Sequence, residues 1–175
     1  FEENPRVSAL REILESIAPY HKVIVWAVFK RNYRQIAKIC DELKLGYTEL
    51  HGETKDKDVN VQKFYNDDVC RVLIGHPGSG GIGVNLTCAS YSVFYSRGFS
   101  LEFEIQAESR NHRGGSKEAG HEKITRIDII AKDTIDELIL KALQSKAATS
   151  YDILDSTDAK KKVLEMLKDG YKHVG

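Results

Sequence analysis

The segment QAESRNHRGG, residues 106–115, sets Gln106, Arg110 and Arg113 at spacings of four and three. On a helix these three side chains share one face. Two guanidinium forks on one face match the oxygens of a phosphoryl group, which they can hold through paired, charge-assisted hydrogen bonds. The plainer alternative is a solvated helix face that Glu108 neighbours.

A second candidate stands upstream. GHPGSGGIGVNLTCAS, residues 75–90, contains GSGGIG, a match to G-x-G-x-x-G through Gly78, Gly80 and Gly83, with Gly81 as a fourth glycine. A dinucleotide site needs a full helix opening at the third glycine, and an acidic residue at the end of the next strand. Here only a short stretch separates Gly83 from the strand expected at Tyr91, and the acidic Glu102 and Glu104 fall at the start of a helix. The oxidoreductase reading is therefore rejected. The sequence also lacks G-x-x-x-x-G-K-[ST], whose Lys and Ser/Thr hold β/γ-phosphates and magnesium in P-loop enzymes. A turn between strands, the remaining bland reading, requires fewer glycines than this loop has.

The surrounding elements alternate. Asn4 and Pro5 cap and open a helix in which Val7, Leu10, Leu14 and Ile17 recur at helical spacing. KVIVWAVF (22–29) is an apolar run suited to a strand buried on both faces. A helix follows with Gly46 as its expected stop. Strands are expected at 47–51, 69–75, 91–96 and 124–131, with an amphipathic helical turn or two at VNVQKFYN (59–66). Ser100 is an expected N-cap for a helix over 100–113, with Glu102 and Glu104 at the positive end of its dipole. Thr134 and Glu137 form a capping box for a helix ending near Lys146, and a last helix covers about 158–169. Five strands separated by helices predict an α/β fold: a parallel sheet with right-handed crossovers and helices on both faces. The domain body is expected over 1–147, with a C-terminal helical tail over 148–175. The KKK run at 160–162 reads as a solvated helix face.

Composition narrows the class. The 26 basic and 26 acidic residues give no net charge, so any nucleic-acid binding must come from a local arrangement of Lys and Arg. Cys40, Cys70 and Cys88 are widely spaced with no C-x-x-C pair, and read as small buried hydrophobes of an intracellular protein. The six histidines form no metal-binding pattern, so no metal site is expected. No apolar run has the length of about 20 residues that a membrane span needs, and no signal peptide is evident. The first residue is Phe1, not Met, which points to a piece of a longer protein.

Taken together, the two segments resemble motifs V and VI of superfamily-2 helicases, in particular the Snf branch of remodeller-like translocases and their phage and bacterial relatives. Motif V of that branch reads close to G-G-x-G-x-N-L-T-x-A, matched by Gly80, Gly81, Gly83, Asn85, Leu86, Thr87 and Ala89. Motif VI reads close to Q-A-x-x-R-x-H-R, matched by Gln106, Ala107, Arg110, His112 and Arg113. KVIVWAVF is similar to motif IV, LHGET (50–54) to the segment after it, and AKDTIDELILKAL to the stretch after the last strand. The sequence departs from the pattern at HRGG, at Ala27 where motif IV has a hydroxyl residue, and at Asp58 and Val59 where a basic residue is common.

The resemblance implies the second RecA-like lobe of a two-lobed, ATP-dependent DNA translocase, inactive without its first lobe. Arg110 and Arg113 would be arginine fingers reaching the γ-phosphate. Gln106, Gly81, Gly83 and Asn85 would lie at the nucleotide cleft. DNA phosphates would meet the backbone around Ala27 and Phe29, Gly52 and Thr54, and the turn Gly78, Ser79 and Gly80. ATP and Mg2+ would be held mainly by the first lobe of the same protein, and the isolated fragment would be monomeric with no membrane partner. The setting implied is intracellular, cytoplasmic if the source is bacterial or phage. The alternative is a degenerate lobe kept as a non-enzymatic DNA or protein clamp.

Overall fold

A computed structural model describes residues 4–79, 84–111 and 124–153. Helix α1 (Pro5–Ile17) begins as expected: the Asn4 side chain accepts a hydrogen bond from the Arg6 N–H at 3.0 Å, and Pro5 occupies the first turn. Strand β1 (Val23–Trp26) is fully buried along its length. It is shorter than the apolar run, because Phe29 already serves as the N-cap of α2 (Lys30–Glu42).

The expected helix stop at Gly46 is wrong. Helix α2 ends at Glu42, and Lys44 takes the left-handed turn with φ 56°. Gly46 instead opens β2 (Gly46–Leu50). It is required there by crowding, since a Cβ at position 46 would sit 2.3 Å from the carbonyl oxygen of Val69. The chain continues through α3 (Lys57–Asn66), β3 (Cys70–Gly75), β4 (Tyr91–Phe94), α4 (Leu101–Asn111), β5 (Thr125–Asp128) and α5 (Ile135–Ile153). Helix α5 runs past its expected end near Lys146, so the boundary expected at 147/148 falls inside it. The expected helix at 158–169 lies outside the described residues.

All four pairings are parallel, in the order β2-β3-β1-β4-β5. Side chains alternate between two cores, as the pleat dictates. Val23, Val25, Ile74 and Val93 pack with Leu10 and Leu14 of α1 and with Ile36 and Cys40 of α2. Ile24, Trp26, Leu73 and Phe94 pack on the opposite side with Phe64 of α3 and Ala107 of α4. The buried Trp26 indole donates to Ser92 Oγ at 2.9 Å, so its polar atom is satisfied inside the core.

This layering fixes where a ligand can bind. The chain leaves β1 for a helix on one face and leaves the adjacent β4 for a helix on the other. The carboxyl ends of such a strand pair are where parallel α/β sheets bind ligands. Among the described residues no helix is long and apolar enough to cross a membrane, and no His, Cys, Asp and Glu side chains group as a metal site.

Candidate functional site

The glycine-rich segment leaves β3 at Gly75 through a short turn. Ser79 N–H donates to the His76 carbonyl at 2.9 Å, and Gly78 N–H donates to His76 Nδ1 at 2.9 Å. The second bond requires a neutral ring that carries its proton on Nε2. Burial, followed by the charges of Arg110 and His51, lowers the pKa of His76 below the ordinary histidine value, which keeps Nδ1 an acceptor. Gly78 is pressed against α4: a Cβ there would meet the Phe103 ring at 2.7 Å, and that ring stands edge-on to His76 with centroids 5.3 Å apart. Residues 84–90 form no helix, so the opening that a dinucleotide loop needs is missing from them.

Helix α4 starts with the expected cap, the Phe103 N–H reaching Ser100 Oγ at 3.4 Å. Arg110, near its other end, is only 3 % exposed. Its Nη1 donates to the Ser79 carbonyl, and its own carbonyl accepts the Leu86 N–H at 3.1 Å. One residue thus grips the glycine loop on both flanks. Gln106 stays on the helix surface, where Nε2 donates to Glu102 at 3.0 Å. Asn85 is bound into a side network, accepting from Thr87 N–H at 3.0 Å and from the Tyr65 hydroxyl at 3.1 Å. Gly80, Gly81, Gly83 and Arg113 lie outside the described residues.

The expected phosphate contacts occupy the same edge of the sheet. Ala27 N–H already donates to Gly75 O at 2.9 Å and Val28 N–H to Ser96 Oγ at 3.0 Å, so these two amides are engaged within the lobe. Phe29 is 56 % exposed and caps α2 without a side-chain hydrogen bond, which leaves the positive end of that helix dipole facing outward. Gly52 is open, with nothing near a would-be Cβ. Thr54 Oγ1 accepts from His51 N–H at 3.0 Å and closes the turn. Lys30 pairs with Glu53, tying the two loops together and lowering the Glu53 pKa.

The helicase conserved C-terminal domain family matches residues 5–115, more than half of the chain. The chain belongs to that family. It is 27% identical over 180 residues to the ATP-dependent helicase FUN30 of Saccharomyces cerevisiae, covering 95% of this chain and 15% of that protein. It is 30% identical over 131 residues to a SWI/SNF-related matrix-associated actin-dependent regulator of chromatin subfamily A-like protein 1 homolog of Caenorhabditis elegans, covering 74% of this chain and 18% of that protein. The crystal structure of the C-terminal part of the Fun30 ATPase domain superposes with a TM-score of 0.73 at 26% identity, covering 81% of this chain and 46% of that one. This helicase lobe therefore has the RecA-like fold expected of it, and it spans less than a fifth of the length of these two curated relatives. Both relatives are eukaryotic. They lend no support to the phage or bacterial source expected from the sequence, nor to the cytoplasmic setting that depended on it.

Other side chains of the helicase lobe carry weight that the sequence did not signal. Glu104 and Glu108, expected at a helix dipole and on a solvated face, are both buried under α4. Arg126 of β5 meets both of them and Asp128, and Arg97 pairs with Glu104 and Asp128. Only the i, i+4 spacing of Glu104 and Glu108 was visible in advance; their partners come from β5 and from the loop after β4. His76 and Phe103, which shape the glycine turn, likewise touch only across the fold.

Proposed function

We propose that this chain is the second motor lobe of an ATP-dependent DNA translocase of the Snf branch, working on DNA in chromatin within the nucleus. The family match and the named relatives support a helicase motor, and the word chromatin comes from a relative's name. The observation that carries the reading is Arg110, which joins the motif VI helix to both flanks of the motif V loop at the carboxyl edge of the sheet.

In this reading Arg110 and Arg113 face a phosphoryl group across the interlobe cleft, and their forks stabilise charge that grows on its oxygens as the bridging bond breaks. Gln106, Gly81, Gly83 and Asn85 border the nucleotide. ATP with Mg2+ supplies the phosphoryl group and its counter-charge, gripped mainly by a first lobe. Of the two guanidinium groups assigned to the phosphoryl group, Arg110 is the one among the described residues, beside the glycine loop at the carboxyl edge of the sheet. DNA phosphates meet the open N-terminus of α2 beside Phe29, the turn at Gly52 and Thr54, and the Gly78–Gly80 segment. Such contacts carry no sequence information, which suits a motor that moves along any sequence.

One observation favours a second reading. Arg110 is buried on the Ser79 carbonyl in the lobe itself, so it can serve as a structural tie in a non-enzymatic DNA or protein clamp. The deciding experiment measures ATP hydrolysis, with and without DNA, by the isolated lobe and by the full-length protein. A motor lobe gives no turnover alone and DNA-stimulated turnover in the full-length protein. A full-length protein that binds DNA without hydrolysing ATP would leave the clamp standing.

A further inference from the structure

Helix α4 is seated on the sheet in an unusual way. Among its described residues Ala107 is the one buried apolar side chain, while Glu104, Glu108 and Arg110 are buried with it. Beneath it lies a cluster of two guanidinium groups and three carboxylates, each side chain at most 10% exposed. Arg126 Nη1 donates to Glu108 at 2.6 Å and Nη2 to Glu104 at 2.8 Å, while Nε bridges both oxygens of Asp128 at 3.1 Å. Arg97 closes the cluster against Glu104 at 3.3 Å and against Asp128. Both guanidinium groups lie over the Phe94 ring, with Cζ 4.2 Å from its centroid for Arg126 and 5.1 Å for Arg97.

Such a seat restricts motion differently from an apolar one. Dispersion contacts are non-directional, so a helix resting on them can roll slightly at little cost. A guanidinium that fans its donors to three carboxylates is restricted in angle as well as distance, because hydrogen bonds weaken steeply off line. Desolvating five charges is costly, and packed apolar residues of similar volume would often stabilise as well or better. What the charges supply here is orientation: they fix the roll of α4 about its axis. That roll sets where Gln106 and Arg110 point.

We propose that Arg126 is a positioning residue for ATP hydrolysis, aiming the motif VI helix from behind without meeting nucleotide or DNA. The inference rests on the motor reading above. A small misalignment of reacting groups costs up to about a hundredfold in rate, so the effect belongs in kcat and not in nucleotide binding.

The test uses the full-length protein with two substitutions. Arg126→Lys keeps the charge but loses the planar fork. The pair Arg126→Met with Glu108→Met removes one charge of each sign and leaves Arg97 with its two carboxylates. Both variants are expected to lower DNA-stimulated kcat by tenfold to about a hundredfold. The KM for ATP should stay within about threefold. The melting temperature of the pair variant should be unchanged or raised. Two results would overturn the proposal: kcat within about twofold of wild type in both variants, or kcat falling only in step with melting temperature in both. A wild-type protein with no DNA-stimulated hydrolysis would overturn the motor reading itself, and this inference with it. A working wild-type motor indifferent to both changes would overturn the role of Arg126 alone.

Discussion

Arg110 donates from its guanidinium to the carbonyl of Ser79 while its own carbonyl accepts the Leu86 amide, so a single helical residue spans the glycine loop. A guanidinium carries five N–H donors, so the bond from Nη1 to the Ser79 carbonyl is compatible with contact to phosphate oxygens from the same group. In the full-length protein Arg110→Ala is expected to reduce kcat for ATP by 10³-fold or more, roughly the lower range of known arginine fingers, with a much smaller change in nucleotide affinity. Arg110→Lys should not restore the rate, because a point charge cannot reproduce the fork. Steady-state kinetics with and without DNA check both. Near-wild-type turnover in the Ala variant would reduce Arg110 to a structural tie.

Gly46→Ala should be strongly destabilising. The added methyl would meet main-chain atoms of Val69 at 2.3 and 2.8 Å, and backbone on both sides leaves no side chain free to yield. A loss of about 2–3 kcal/mol, at the upper end of ordinary single substitutions, is expected from urea denaturation of the lobe. Gly52→Ala is the control, since nothing lies near its would-be Cβ. Equal stability of the two variants would contradict the close approach of β2 to the turn before β3.

His76 makes stability depend on pH. Its pKa in the folded lobe lies below the ordinary value of 6.5, chiefly through burial and next through the Arg110 charge. The unfolded chain therefore takes up the proton more readily. The stabilising contribution is complete above about pH 6.5 and is lost as pH falls from there toward the folded-state pKa. Protonation of Nδ1 would also remove the acceptor for Gly78 N–H and set a cation beside Arg110. His76→Asn should flatten the decline in unfolding free energy between about pH 6.5 and 5. An unchanged slope would show that His76 is not the group responsible.

The thiols should be slow nucleophiles. Burial pushes Cys40 up to about 12 and Cys88 to about 11, and raises Cys70 as well. Only the thiolate attacks, so alkylation by iodoacetamide at neutral pH should be far slower in the folded lobe than in urea. Mass spectrometry of the native protein after brief exposure should find these three sites unmodified. Fast labelling of Cys40 would mean that α2 opens readily.

Local chemistry was legible and long-range chemistry was not. The Asn4 and Ser100 caps, the buried run of β1 and the five-strand alternation each follow from neighbouring residues, and the structure bears them out. Gly46 misled because a glycine after a helix is read as its stop, while its actual constraint is a strand that arrives twenty-odd residues later. The burial of Glu104, read as an acid at the helix dipole, and of Glu108, read as the neighbour of a solvated face, was hidden for the same reason: Arg97 and Arg126 lie elsewhere in the chain, and no periodicity within α4 announces them. The nucleotide and DNA residues were named through the resemblance. Of these, Arg110 and Ser79 are joined directly, Asn85 is drawn into a network with Tyr65, and Gln106 remains on the helix surface.

The position of β5 gives the charge cluster a second consequence. Among the described residues β5 is an outer strand of the sheet, and its four residues read Thr-Arg-Ile-Asp. Outer strands present unpaired main-chain groups that invite a further strand from another molecule. Here the Arg126 and Asp128 side chains turn inward to fixed partners, and an incoming strand would have to bring its own side chains alongside buried charge. Inward-facing charge of this kind guards a sheet border against runaway pairing. The residues that aim α4 also protect a border that would otherwise be open to self-association.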